Sequence, residues 1–326
     1  IDFHLEGLKK LGAKAKDING SISLTAVNGL RGEMIELPFP SVGATENLMM
    51  AATLADGTTV MENCAREPEI VDLAEFLNSM GAEISGAGTS TITIRGVPEL
   101  HPVNYRIIPD RIETASYLIA GLMTGGDVTC LNASPWHLPV ILDKLEETGC
   151  ELIIDSEKIG IKSPPRPKSI GIKTCPFPGF ATDVQPMIMA AMTVADGQSI
   201  FLDTIFENRY NQVSELTKMG ADIDVKGRVA LVNGVKDLNG CEVIAVDIRA
   251  SMALVIAGLK ADGETRIRNL GHLIRGYENP VEKLSNLGAD LRIVDENTEK
   301  SQTSVQSEEV KKIIQNESDP PVIPTQ

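Results

Sequence analysis

Five times the sequence returns to one pattern: an amphipathic helix, a glycine followed by a small residue, then an alternating strand. The turn glycines are Gly12, Gly81, Gly149, Gly220 and Gly288, separated by 69, 68, 71 and 68 residues. A period this regular marks a repeat architecture, and a repeat limits the fold more tightly than any single element does. Each glycine stands where a helix C′ residue needs positive φ. The alternation in Ser90–Ile94 and Val229–Val232 reads as half-buried strands closed into hairpins by short turns.

A second repeating element lies between these. FPSVGATENLMMAATLADGTTVMEN, IPDRIETASYLIAGLMTGGDVTCLN, FATDVQPMIMAAMTVADGQSIFLD and AVDIRASMALVIAGLKADGETRIRN each combine a capped, nearly all-apolar helix, a glycine and a strand. A helix apolar on most faces is a buried helix, so the expected packing is α/β, with helices inside and sheets outside. The unit is strand, buried helix, strand, amphipathic helix and hairpin, about 70 residues long. Three units closing a domain place one boundary near residue 107. The expected domains are then 1–107, 108–295 and a polar tail over 296–326 too poor in apolar residues to pack. On this arithmetic the first domain is short by more than a unit and residue 1 is Ile, so the expectation is a chain that lacks its beginning.

The chain has 30 Lys and Arg against 45 Asp and Glu, a net charge of -15, which disfavours nucleic acid and anionic membranes as partners. Any anionic ligand must be held by locally gathered arginines. The five cysteines have no CxxC spacing, which speaks against a disulfide framework and a zinc site and for a reducing cytoplasm. No apolar run approaches the length of a membrane span.

One acid stands out. In PFPGFATDVQP, Asp183 sits between prolines and an apolar helix. It has a structural reading, in which Thr182 and Gln185 form a capping box and an acid in the first turn suits the helix dipole. It also has a chemical reading, as a residue that takes part in chemistry.

The helix starts, together with AREPEIVDLAEFL, FENRYNQVSEL and LGHLIRGYE, resemble the UDP-N-acetylglucosamine enolpyruvyl transferases from residue 1 to about 294. The resemblance implies two inside-out α/β barrel domains of the enolpyruvyl transferase fold, with the active site between them. It implies transfer of enolpyruvate from phosphoenolpyruvate to the 3′-hydroxyl of UDP-N-acetylglucosamine, releasing phosphate, as the first committed step of peptidoglycan synthesis. No cofactor and no metal are implied. The aspartate of the family's TD motif, the base for the sugar hydroxyl, matches Asp183, and helix capping then falls to Thr182. The family's C3 acid, usually a Cys, lies on a loop ahead of the matched region together with a Lys-Asn pair. The fragment read here is therefore expected to be inactive by itself.

Further positions carry over one at a time. Ile1, Asp2 and Phe3 match the end of a loop that meets the uridine nucleotide. Ser41, Val42 and Gly43 match a helix start that binds the diphosphate, which suits the free N–H groups of a helix N-terminus. Phe39 stands where some relatives have a Lys that helps the phosphates. Ile205 matches an apolar contact to the aminosugar. Arg249 and Arg275 match arginines that grip the phosphate and carboxylate of phosphoenolpyruvate, for which a planar, always charged fork is suited. Arg111, Glu113, Glu67 and Glu69 read as ties between domains or caps, His4 and His272 as structural, and Arg209 either way.

Two rivals remain at this stage. One is the sister enzyme acting on shikimate 3-phosphate, whose glycine- and threonine-rich and Ser-Lys-Ser motifs are not found here. The other is a catalytically silent protein that keeps the nucleotide-sugar cleft.

Overall fold

The structure, a computed structural model, describes residues 1–294 and divides into two units, residues 1–277 and those from 278 onward. The expected tail over 296–326 lies outside the described residues.

The first unit opens with α1 (Asp2–Lys10) and the hairpin β1 (Lys14–Ile18) and β2 (Ser21–Thr25). A complete repeat follows: β3 (Met34–Glu36), α2 (Val42–Thr53), β4 (Thr58–Glu62), α3 (Pro68–Ser79), β5 (Glu83–Ser85) and β6 (Thr91–Arg95). The next contains α4 (Arg111–Thr124), β7 (Asp127–Leu131), α5 (Pro139–Glu147), β8 (Glu151–Asp155) and β9 (Lys158–Lys162). The third contains β10 (Gly171–Lys173), α6 (Gln185–Met192), β11 (Gln198–Leu202), α7 (Val213–Lys218), β12 (Asp222–Lys226) and β13 (Val229–Asn233). Last come β14 (Glu242–Ile244), α8 (Ile248–Lys260), β15 (Arg266–Arg268) and α9 (Gly271–Gly276).

The repeat is visible in the sheets. The orders β3-β4-β6-β5 and β10-β11-β13-β12 are the same topology, each with one parallel pair spanning a buried helix and an antiparallel hairpin. β14 pairs parallel with β15 around α8, and β7-β9-β8 is wholly antiparallel. The turn glycines take the expected conformation, with φ of 101, 104, 90, 97 and 98° at Gly12, Gly81, Gly149, Gly220 and Gly288. Positive φ at those positions costs a Cβ-bearing residue about 1 kcal/mol or more.

The apolar helices lie inside, as their composition demands. All eight residues of α6 are buried, and α4, α6 and α8 pack on one another. A separate core, from Leu11 and Ile35 to Ile92 and Ile94, is drawn entirely from residues 11–94 and surrounds α2. Three of the helix starts share one cap. Ser41, Asp110 and Asp247 accept N–H bonds from the first turns of α2, α4 and α8, and their carbonyls take the hydroxyls of Thr45, Thr114 and Ser251. At these three starts the helix hydroxyls are received by backbone carbonyls. Among the described residues no helix is long and apolar enough to cross a membrane.

The second unit contributes α10 (Pro280–Asn286), which ends at Gly288. The strand expected from LRIVD is not formed over the described residues 289–294, where no pairing partner is found among the described residues. A strand without a neighbour leaves its hydrogen-bonding groups unpaired and has nothing to hold it extended.

Where the hairpin of each full repeat returns to its buried helix, the backbones touch. A Cβ on Gly96 would collide with the carbonyl oxygen of Ala55, and one on Gly234 with that of Ala195. Gly234→Ala is therefore expected to destabilise the fold by about 2–3 kcal/mol, read as a lower denaturant midpoint at unchanged slope. A loss under about 0.5 kcal/mol would show that this backbone contact is loose.

Candidate functional site

The third copy of the capped helix breaks the rule that the other three obey. In α2, α4 and α8 the first helical bond runs from Thr45, Thr114 or Ser251 N–H to the cap carbonyl, at 2.9, 3.0 and 2.9 Å. The residue in that place relative to Thr182 is Pro186, which has no N–H to give. The helix consequently starts late, at Gln185, with Val184 as its N-cap and no side-chain cap. Residues 182–184 become a turn. The capping box expected from Thr182 and Gln185 is not formed: the Gln185 side-chain oxygen Oε1 is buried without a partner among the described residues, and the Thr182 hydroxyl is used elsewhere.

Released from the helix, Asp183 is held by two arginines. Arg209 Nη2 donates to Oδ1 at 2.9 Å and Arg249 Nη2 to Oδ2 at 3.1 Å, while the Asp183 side chain stays 39% exposed. Each carboxylate oxygen has one charge-assisted partner and lone pairs left over. Arg249 stands in the first turn of α8, just beyond its Asp247 cap. Burial works to lower its pKa, but Asp183 and the Tyr277 phenol outweigh burial and raise it, so the cation is firmly held.

Arg209 is itself fixed. Its Nε donates to Thr182 Oγ1 at 3.0 Å, its guanidinium lies 4.4 Å from the centre of the Phe206 ring, and Thr182 donates to Asp203 Oδ2 at 2.7 Å. Asp203 is 1% exposed, and its Oδ1 accepts the N–H groups of Ile205 and Phe206 at 3.0 and 2.8 Å. This sets the course of the FENR segment and the position of Ile205. Sequence reasoning left Arg209 open and missed Asp203, although a signal was present. The matching places in the other copies are Asn63, Asn132 and Asn269, all with positive φ. The Asn63 and Asn269 amides bond the carbonyls of Leu37 and Ala245. In the third copy Thr204 Oγ1 takes the equivalent carbonyl, of Thr174, at 2.6 Å, which leaves Asp203 free for Thr182.

The N-terminal positions form a second group. Ile1 is 78% exposed, Asp2 and Phe3 open α1, and Phe3 packs on the core beneath α2. Ser41 caps α2, and the His4 ring lies about one van der Waals contact from Gly43, so Ile1–Phe3 and Ser41–Gly43 are neighbours. Arg275, on α9, is exposed and makes no ion pair with Asp183 or with any other described residue. The loop carrying Asp183 is tied to the N-terminal part. Phe177 N–H faces Glu67 Oε1 at 3.4 Å, Arg111 lies 5.8 Å over the Phe177 ring, and Arg111 Nε donates to Glu69 Oε1 at 2.9 Å. Among the described residues no cluster of three or more His, Cys, Asp or Glu is arranged to hold a metal.

The model of the EPSP synthase (3-phosphoshikimate 1-carboxyvinyltransferase) family matches residues 1–284. The chain is 51% identical over 292 residues to UDP-N-acetylglucosamine 1-carboxyvinyltransferase 2 of Caldanaerobacter subterraneus subsp. tengcongensis, covering 89% of this chain and 70% of that protein. It is 49% identical to UDP-N-acetylglucosamine 1-carboxyvinyltransferase of Trichlorobacter lovleyi, over 91% and 71% of the two chains. Among solved structures it resembles the enolpyruvyl transferase NikO from Streptomyces tendae, with a TM-score of 0.81 at 27% identity over 89% and 72% of the chains. The fold is shared with EPSP synthase from Acinetobacter baumannii, with a TM-score of 0.65 at 21% identity over 88% and 70% of the chains.

Glu46, one turn into α2, is half-buried beside Glu67 and Glu69; burial first, then the two like charges, raises its carboxyl pKa above 4.5. A raised carboxyl favours the fold while protonated, and that stability is lost as pH climbs through the raised value. Glu46→Gln is therefore expected to raise the Tm by about 2 °C at pH 7–8, an effect held small by partial solvent screening. The gain should vanish near pH 4. A Tm unchanged or lowered at pH 8 would contradict this reading of the acidic seam.

Proposed function

Because the chain belongs to the family of UDP-N-acetylglucosamine 1-carboxyvinyltransferases, within the wider EPSP synthase family, we propose that it transfers the enolpyruvyl group of phosphoenolpyruvate to the 3′-hydroxyl of UDP-N-acetylglucosamine and releases phosphate. This reaction serves peptidoglycan synthesis. The observation that carries the mechanism is Asp183, held at both oxygens by Arg209 and Arg249 and still open to solvent.

In this reading the Asp183 carboxylate takes the proton of the 3′-hydroxyl as that oxygen bonds to C2 of phosphoenolpyruvate, while C3 gains a proton from an acid. Loss of a C3 proton and of phosphate from the tetrahedral intermediate restores the double bond. Two arginines hold the Asp183 carboxylate in place, and its free lone pairs give the hydroxyl an acceptor. The anionic groups of phosphoenolpyruvate compete with Asp183 for Arg249. Neither Cys64 nor Cys130 suits the C3 acid, since burial pushes each thiol up to about 11.

The remaining roles rest on the family resemblance, and the local geometry is compatible with them. The N-terminus of α2, capped by Ser41 with Val42 and Gly43 in its first turn, offers free N–H groups to the diphosphate. Ile1, Asp2 and Phe3 lie beside it for the uridine. Ile205, held by Asp203, faces the aminosugar, and Arg275 joins Arg249 on the phosphoenolpyruvate anion. The self-contained core over residues 11–94 supports a domain boundary near residue 107, with a second domain over 108–295 around α4, α6 and α8. All five cysteines are free, which suits a cytoplasmic setting.

The test is phosphate release by the full-length protein from phosphoenolpyruvate with each acceptor. Release with UDP-N-acetylglucosamine and none with shikimate 3-phosphate is expected, and the reverse would overturn the substrate assignment. Asp183→Asn should lower kcat by about a hundredfold or more, with the melting temperature little changed. Turnover within about threefold of wild type would remove Asp183 from the role of base.

A further inference from the structure

Behind Arg249 lies a buried polar chain with no role in the reaction as described so far. Tyr277, 3% exposed, follows Arg275 and Gly276 at the end of α9, and its hydroxyl lies 2.9 Å from Ser116 Oγ on α4. Gly276 makes this possible. A Cβ there would collide with Ile248, the first residue of α8, so α9 lies flush against the turn that carries Arg249. The Tyr277 phenol and the Arg249 guanidinium lie close enough to interact electrostatically, the phenol helping to hold the cation.

The direction of the chain follows from counting protons. Ser116 has one hydroxyl hydrogen, and it goes to the carbonyl of Ile112 at 2.7 Å. Ser116 Oγ therefore accepts from Tyr277, whose own proton is thereby committed. What the phenol has left is lone pairs, and the cation beside it is Arg249, whose Nη2 is already on Asp183. The phenol thus donates to the serine and the serine to a helix carbonyl, which leaves the phenol's lone pairs for the arginine. Both hydroxyls are buried, so neither can turn to water instead.

We propose that Tyr277, backed by Ser116, is a positioning residue that orients the Arg249 guanidinium toward the cleft and so sets the affinity for the anionic group of phosphoenolpyruvate. The proposal rests on the enolpyruvyl transfer reading given above. Tyr277 touches no substrate; it acts through the arginine, and because it directly follows Gly276 it also fixes the end of the helix that presents Arg275. The arrangement resolves a conflict that Arg249 would otherwise face. An arginine bound only to Asp183 could follow that carboxylate, whereas one anchored from behind stays in place when a substrate anion takes over part of its charge.

Steady-state kinetics of Tyr277→Phe, Ser116→Ala and the double variant in the full-length protein test this. Tyr277→Phe keeps the ring and its packing and removes only the oxygen. The expected result is a roughly tenfold rise in KM for phosphoenolpyruvate, the scale of one lost hydrogen bond to a charged group, with KM for UDP-N-acetylglucosamine unchanged. Ser116→Ala should move the same parameter in the same direction by less, and the double variant should be no worse than Tyr277→Phe. An unchanged KM for phosphoenolpyruvate in Tyr277→Phe would overturn the proposal. So would an equal loss for both substrates that tracks a lower Tm, since that describes a merely structural tyrosine. Should Tyr277→Phe not fold, Ser116→Ala alone decides: a selective rise in KM for phosphoenolpyruvate supports the proposal, and its absence refutes it. A wild-type protein that turns over neither acceptor would instead count against the enolpyruvyl transfer reading.

Discussion

Three apolar helices, α4, α6 and α8, can escape water only by packing on one another, and that burial brings their N-terminal ends together. Ser116 in α4, Asp183 just ahead of α6 and Arg249 in the first turn of α8 are joined through Tyr277 in one set of contacts. Helix N-termini carry partial positive charge and unsatisfied N–H groups. A net charge of -15 would repel an anionic substrate at long range, yet at this junction helix ends and two arginines converge. The hydrophobic effect thus decides where the chemistry can be, before any catalytic residue is considered.

The site is where the repeat departs from itself. Every copy needs a helix start, and three copies use the same cap and the same hydroxyl one turn later. The third copy replaces that hydroxyl by Pro186 and the following Asn by Asp203. The first change unwinds the turn that presents Asp183. The second supplies the carboxylate that holds Thr182, and through it Arg209. Local exceptions to a rule that the rest of the fold obeys are where function is expected, since each exception gives up a stabilising bond.

The repeat, its glycines and the inward helices were legible in the sequence because they depend on local periodicity and on a conformation only glycine adopts cheaply. The expectations for Asp183, Arg249 and the α2 start came from the family resemblance and not from local periodicity. The capping role given to Thr182 was wrong because a side chain that can cap can also serve a charged partner far along the chain, and Pro186 removes the helix it would have capped. The contacts missed altogether span long separations. Tyr277 meets Ser116 across 161 residues and Phe177 meets Glu67 across 110, and no pattern read along the chain states which distant residues a packed core will place together. The latter contact, with Arg111 on Glu69, ties the Asp183 loop to the part of the chain that supplies the α2 N-terminus, so the two groups of candidate residues share one support.

The central claim is geometric: the two groups serve a single substrate, with its diphosphate at Ser41–Gly43 and its 3′-hydroxyl at Asp183. A crystal structure of the full-length protein with UDP-N-acetylglucosamine bound measures this directly. The account predicts the 3′-oxygen at about 2.6–3.2 Å from an Asp183 carboxylate oxygen while the diphosphate meets the first turn of α2. A sugar bound with that hydroxyl turned away from Asp183, or a diphosphate held elsewhere, would contradict it.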